Sequence, residues 1–362
     1  MKNQKPYAGA AKSGNTENNM ENNSENNARH DTGTKESTCG THHTVRKYDV
    51  FRFLMKCILI PGAAMLIIWA LNKPYKEIDD QKYMDVAKFG MLGKQYWEIH
   101  VGNLGSSHGA YDFVYDTITK RGYICFNFAN TSQSYDYDYA ILKEFGKYME
   151  TDSVLFIPVS YFSFNNEVVN SSEAEAMSVR YYRFLSPENI PDYDPYVDLI
   201  TNRLPILSAG QDILKLFPRL ELALTAHAAD TGTDTAEFAR RAKERYSRHF
   251  DGKEEYFMPE RIQELRDIIA YCQANKITPV LITTPFSSYY RDLVSQEFLQ
   301  EFETTVRTIA DDTGVNYYDY SDDERFRDNL DYFSDSDHLN DEGAAYFVKL
   351  LWNEVTELER FH

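Results

Sequence analysis

Val101-Gly-Asn-Leu-Gly-Ser-Ser-His-Gly109 closes a short apolar run and opens a helical pattern. Gly105, Ser107 and Gly109 satisfy G-x-S-x-G, the sharp strand-to-helix turn that exposes a nucleophilic serine. Glycine permits the tight backbone such a turn needs, and N–H groups at the start of the next helix can meet an oxyanion. Alone this is a weak signal, because Gly/Ser-rich strand-to-helix loops occur in many α/β proteins.

A second stretch, Tyr332-Phe-Ser-Asp-Ser-Asp-His-Leu-Asn-Asp-Glu-Gly343, immediately precedes the last helical pattern. Asp335 and His338 are three residues apart, so one short loop presents both. A carboxylate beside an imidazole fixes its tautomer and stabilises the imidazolium formed when the ring takes a serine proton. Asn340 reads as the N-cap of the terminal helix. Ser107, Asp335 and His338 are therefore the expected catalytic triad. His108 adjoins the serine and is read as a pocket-wall residue.

Outward from these two stretches, short apolar runs alternate with helical periodicity. Tyr96–Leu104, Tyr123–Phe128, Ser153–Phe162, Pro279–Thr284 and Val315–Tyr320 read as strands, and Tyr137–Met149, Pro259–Ala274, Ser295–Asp312 and Asp341–Leu358 as helices. This alternation implies a parallel sheet wrapped by helices, an α/β fold. Between 165 and 255 the pattern weakens, so that segment is expected to be an insertion between two strands that caps the site. Tyr135-Asp-Tyr-Asp-Tyr139 reads as a helix start with partly exposed rings, or alternatively as a stacking surface for a sugar.

Residues 1–44 are rich in Asn, Glu, Lys, Ser, Thr and Gly, and cannot bury enough apolar surface to offset their chain entropy, so disorder is expected there. Val50 to Leu71 then reads VFRFLMKCILIPGAAMLIIWAL, uncharged from Cys57 onward. A helix of this composition spans a bilayer if Arg52 and Lys56 reach the headgroups. Arg46, Lys47, Arg52 and Lys56 precede the run and Lys73 and Lys76 follow it. That bias places the tail in the cytoplasm and residues 75–362 outside as a single-pass, extracytoplasmic domain.

The 362 residues are 43% hydrophobic, with 27 Tyr and 22 Phe, enough for a sizeable core. A net charge of −18 argues against a nucleic-acid partner, since phosphate binding needs a basic surface. Cys39, Cys57, Cys125 and Cys272 show no metal-ligand spacing, so no metal or other cofactor is expected. Cys125 and Cys272 read as small buried apolar residues.

Taken together, the Gly105-Ser106-Ser107 turn and Asp335-Ser-Asp-His338 resemble the SGNH/GDSL hydrolase family. There a serine follows the first strand of a flavodoxin-like sheet and D-x-x-H precedes the last helix. Ser106 stands where that family has Asp, a form similar to D-alanyl transfer proteins of teichoic-acid modification and to envelope polysaccharide O-acyltransferases. The resemblance implies an acyl-serine enzyme acting on acetyl or D-alanyl groups of a surface polysaccharide or teichoic acid, with a multi-span membrane acyltransferase as partner. It also implies oxyanion donors at the serine itself and in the loops after the second and third strands. Here Ser107, Asn130, Thr131, Ser132 and Asn165 are the candidates, with Ser160 as another, although the family's Gly and Gly-x-Asn-Asp patterns are missing. An α/β-hydrolase nominates the same serine but separates its Asp from its His. An anchored esterase or lipase using water, and an inactive envelope scaffold, remain the alternatives.

Overall fold

The computed structural model describes residues 47–94, 97–165, 178–216, 235–250 and 257–359. The tail at 1–44, with Cys39, lies outside the described residues, as do 166–177, 217–234 and 251–256 of the expected insertion. The chain divides into a unit ending at Ile58 and a second from Leu59 onward; the site belongs wholly to the second.

Five strands, β1 Ile99–Asn103, β2 Cys125–Asn127, β3 Met149–Pro158, β4 Thr278–Thr283 and β5 Asn316–Asp319, form one sheet in the order β2-β1-β3-β4-β5. Every pairing is parallel. This is the flavodoxin-like order, whose direction of winding reverses between β1 and β3. The crevice beyond the carboxyl ends of those two strands is where open α/β sheets bind ligands. Each expected strand is present, but only β1, β2 and β5 are simply trimmed at their ends; β4 begins one residue early, and β3 begins four residues early, at Met149, the expected end of a helix.

The principal helices are α1 Lys47–Asp80, α2 Met84–Leu92, α3 Ser107–Tyr111, α4 Tyr135–Phe145, α5 Thr235–Phe250, α6 Pro259–Ala274, α7 Gln296–Thr313 and α8 Asp341–Glu359. Ser295 caps α7, its hydroxyl accepting from Phe298 N, and Gly314 ends that helix in the left-handed region. Asn340 Oδ1 accepts from Gly343 N at 2.9 Å, the N-cap its sequence position suggested.

Two apolar layers sandwich the sheet. The two-residue period of β3 sends Leu155 and Ile157 to one layer and Val154 and Phe156 to the other. In β4, Leu281 joins the first layer and Val280 and Ile282 the second. Strand β1 breaks the rule, since Ile99 and Val101 lie in opposite layers. The cause is a register shift between them, where five residues of β3 stand against two of β1.

Helix α1 is longer at both ends than the expected span at 50–71. Pro61 and Pro74 lie inside it, and it continues unbroken to Asp80. Its apolar stretch is exposed, and it is the one helix among the described residues long and apolar enough to cross a membrane. Its last turns are polar and fastened to the sheet domain. Asn72 Nδ2 donates to Arg203 O at 2.8 Å, and Lys82 pairs with Asp79 at 2.6 Å. Arg183 binds both Asp79 and Asp80.

Candidate active site

The loop after β1 has the strand-to-helix geometry its glycines suggested. Gly105 adopts φ +112°, a conformation open to glycine and costly for other residues. A Cβ on Gly109 would stand 2.3 Å from Leu104 O and 2.7 Å from the Ala129 side chain. Gly109 thus lets α3 fold back onto the strand it follows. Asp138 of α4 braces the turn from below: its Oδ1 accepts from Gly105 N at 2.9 Å and from Gln133 Nε2 at 2.6 Å. Burial pushes the Asp138 carboxyl up to about 7, although both donors favour its charged form.

Asp335 and His338 meet as their spacing required. His338 Nδ1 lies 2.9 Å from Asp335 Oδ2, and Asp335 Oδ1 also accepts the His338 backbone N–H at 2.9 Å. Nδ1 therefore carries the proton, leaving Nε2 as the basic nitrogen. Burial lowers the His338 pKa, but the hydrogen bond to Asp335 and the nearby charges of Asp337 and Asp335 outweigh it, and the net direction is upward.

Two hydrogen bonds fasten α3 to this loop on either side of His338. His108 Nε2 donates to Asp337 O at 2.8 Å, and Leu339 N donates to Asp112 Oδ1 at 2.9 Å. The His338 ring packs 5.0 Å from the His108 ring and 5.3 Å from that of Tyr111. Ser107, half-buried, opens the helix that carries these contacts. Among the described residues no hydrogen bond joins the Ser107 hydroxyl to His338. Nε2 of His338 instead faces Arg245 Nη2 at 3.2 Å.

His108 corrects its expected place on a pocket wall. It is fully buried and spans three elements, with Nδ1 accepting from the hydroxyl of Ser160, just after β3, at 2.8 Å. Its Nε2 must donate, because the Asp337 carbonyl can only accept. Burial drives the ring down to about 3, so it stays neutral. The histidine beside the serine is therefore a brace across the β1–β3 switch point.

The oxyanion candidates fall into distinct settings. Asn130 is buried and committed: its backbone N–H donates to Gly105 O at 3.2 Å and its Nδ2 to Gln133 at 2.6 Å. Thr131 O accepts from Arg180, Ser132 sits at φ +56°, and Asn165 is buried with its backbone N–H donating to Phe162 O. Of the tyrosine run, Tyr135 is buried and Tyr137 stacks on Tyr181 with centroids 3.8 Å apart, so those two rings are not free for a sugar. Tyr139 lines an open cavity of about 250 Å³ with Lys143, Glu188 and Asp267.

Sequence reasoning missed Asp337 and Arg245. Asp337 is fully buried in the same loop as His338, and Arg245 of α5 holds it through two hydrogen bonds of 2.9 and 2.8 Å. Burial raises the Asp337 carboxyl, but the hydrogen bonds from Arg245, followed by the influence of His338 and His249 and the Arg245 charge, outweigh this and hold it well below the usual carboxylate range. The i, i+3, i+7 spacing of Ala242, Arg245 and His249 puts them on one face of α5, but it does not show which charge that face meets. Ala242 and His249 are buried, and His249 Nε2 lies 3.9 Å from Asp337. Cys272 is buried as expected, whereas Cys125 is partly exposed and Cys57 exposed.

No family model and no curated protein matches the chain. Among solved structures it is similar to a Bacteroides fragilis protein provisionally described as an acylhydrolase, at 11% identity and a TM-score of 0.36, over 74% of this chain and 96% of that one. A Streptococcus pneumonia protein provisionally described as a platelet activating factor gives 11% identity and a TM-score of 0.39, over 81% and 98%. A GDSL-like lipase from Bacteroides thetaiotaomicron gives 11% and 0.37, over 76% and 99%.

Proposed function

We propose that this chain is a membrane-anchored serine esterase or acyltransferase of the SGNH type, working through an acyl-serine at Ser107. The clamp of α3 onto the Asp335–His338 loop carries this reading, because it fixes the start of the serine helix against the basic histidine. A nucleophile with a base oriented by a third group is the arrangement covalent acyl transfer requires. The winding reversal between β1 and β3 supports it further, since Ser107 and Ser160 follow the two strands that bound the crevice.

In this scheme His338 Nε2 takes the Ser107 hydroxyl proton as Oγ attacks the acyl carbonyl. The Nδ1–H bond to Asp335 stabilises the imidazolium that results. The tetrahedral intermediate collapses, the ester C–O bond breaks, and the imidazolium returns its proton to the leaving alcohol. A second hydroxyl, from water or a polymer, then gives its proton to His338 and attacks the acyl-serine; the acyl–Oγ bond breaks and the imidazolium returns the proton to Oγ. For the first step Ser107 Oγ must come within hydrogen-bond range of Nε2, a tightening that substrate binding commonly brings.

The exposed apolar helix α1 supports a single-pass anchor. The acyl donor is then an envelope acyl group, acetyl or D-alanyl, and the acceptor a surface polysaccharide or teichoic acid, with a multi-span membrane protein supplying the acyl group. The test is to trap the acyl-enzyme from a short acyl ester and map the adduct, alongside surface acylation in a Ser107→Ala strain. An adduct on Ser107 with lost acylation is expected. Unchanged acylation in the variant strain would sink the transferase reading.

A further inference from the structure

Asp337 raises a problem of charge. It is an ionised carboxylate with no exposed side-chain surface, and its Oδ2 lies 4.0 Å from His338 Nε2. Asp335 already holds the opposite nitrogen. Two unopposed carboxylates flanking one imidazole would keep it protonated, and a protonated ring cannot accept the Ser107 proton.

We infer that Arg245 is a positioning residue that offsets much of the charge of Asp337, so that Asp335 is left as the main carboxylate that orients and polarises the His338 ring. The inference deepens the proposed function and rests on the role given there to His338. The guanidinium reaches Asp337 through Nε and Nη2, a planar fork matched to a carboxylate, and the same Nη2 faces His338 Nε2 at 3.2 Å. Its side chain is one-fifth exposed, so the pair is only weakly screened by water.

Both contacts act in the same sense. Pairing weakens the pull of Asp337 on an imidazolium, and a donor placed at Nε2 favours the neutral ring, a contact that opens when Ser107 donates to that nitrogen. Donor atoms of His108, Asp337 and His338 lie within 4.8 Å of one another, as metal ligands would. The cation among them is Arg245, and both nitrogens of His108 are already engaged.

The other groups facing His338 do not substitute for Arg245. From α3 come His108, held neutral, and Tyr111, and from its C-cap the buried Asp112, whose carboxyl is pushed up to about 8. From α5 comes His249, whose pKa burial holds well below the ordinary value, with Nδ1 on Tyr290 at 2.6 Å. Arg245 thus gives the segment between β3 and β4 a part in the chemistry: it supplies the cation that lets His338 work as a base.

The experiment is a histidine-ring NMR titration of the full chain in nanodiscs, with the His338 signal identified by its loss in His338→Gln. Removing Arg245 bares a carboxylate about 4 Å from the ring, so Arg245→Gln is expected to raise the His338 pKa by roughly one unit or more. Asp337→Asn is expected to lower it, and the double variant to return it to within about half a unit of wild type. Arg245→Lys should restore most of the wild-type value, since it keeps the charge. Thermal melts of each variant report folding. If Arg245→Gln does not fold, Asp337→Asn and the double variant carry the test.

An unchanged His338 pKa in folded Arg245→Gln, or no fall in Asp337→Asn, overturns the inference. The titration does not depend on turnover. Loss of activity in Ser107→Ala with no shift in the titration would therefore remove this inference alone. Full activity in Ser107→Ala would remove the enzymatic reading instead.

Discussion

His108 Nε2–H donates to the carbonyl of Asp337 at 2.8 Å, so the residue after the candidate nucleophile holds the residue before the candidate base. The same ring accepts from Ser160 through Nδ1, which ties both to the end of β3. Alanine there removes two buried hydrogen bonds and opens a cavity. His108→Ala is expected to cost about 2–4 kcal/mol of stability and to cut the rate of Ser107 acylation. Chemical denaturation and the rate of labelling by a fluorophosphonate probe check the two effects.

The pH dependence of activity follows from His338. Its pKa lies above the ordinary 6.5, and the proposed base works only when neutral, so kcat/KM should rise with pH through an acid limb above that value. Asp335→Asn removes the strongest upward influence, so any residual activity should have its limb at lower pH. The same change unfixes the tautomer and should lower kcat by roughly a thousandfold or more. A pH–rate profile for a short acyl ester measures both.

Asp112 links stability to pH. Its carboxyl accepts from Leu339 N, yet burial raises its pKa to about 8 from an ordinary 3.8. The folded chain therefore keeps a proton that the unfolded chain releases, and stability falls as pH rises through about 4 to 8. Asp112→Asn keeps the acceptor and removes the titration. It should be more stable than wild type at pH 8 by at least about 1 kcal/mol, with a smaller difference at pH 5. Urea melts at the two pH values provide the comparison.

Gly109 needs its missing side chain. Gly109→Ala places a methyl group against Leu104 O and Ala129, so α3 must shift away from β1. The expected cost is about 1–3 kcal/mol, with loss of probe labelling because α3 also carries Ser107. Thermal melts and labelling of the folded fraction separate the two consequences.

Much of this was legible in the sequence because local rules and tertiary structure agree. The apolar run from Val154 to Ile157 announced a strand, which the structure buries on both faces. The bounds of α6 at Pro259 and Ala274 matched their signals, and the three-residue spacing of Asp335 and His338 did bring them together. The register shift in β1 was not legible, since it depends on which residues of β3 lie alongside. Nor was the burial of His108, because a histidine in a turn shows its partners only once β3 and the Asp337 loop are in place. Arg245 was hidden for a similar reason. In a helix as charged as Thr235–Phe250, one arginine looks like all the others until Asp337 is found buried beside it.

The proposed reaction makes Ser107 the nucleophile and His338 its base. Its most direct test is peptide mass spectrometry of the full chain after reaction with a fluorophosphonate probe, for wild type and His338→Gln. One adduct is expected, on Ser107, formed at neutral pH and lost in His338→Gln. An adduct on Ser106, or labelling of Ser107 at an unchanged rate without His338, would contradict it.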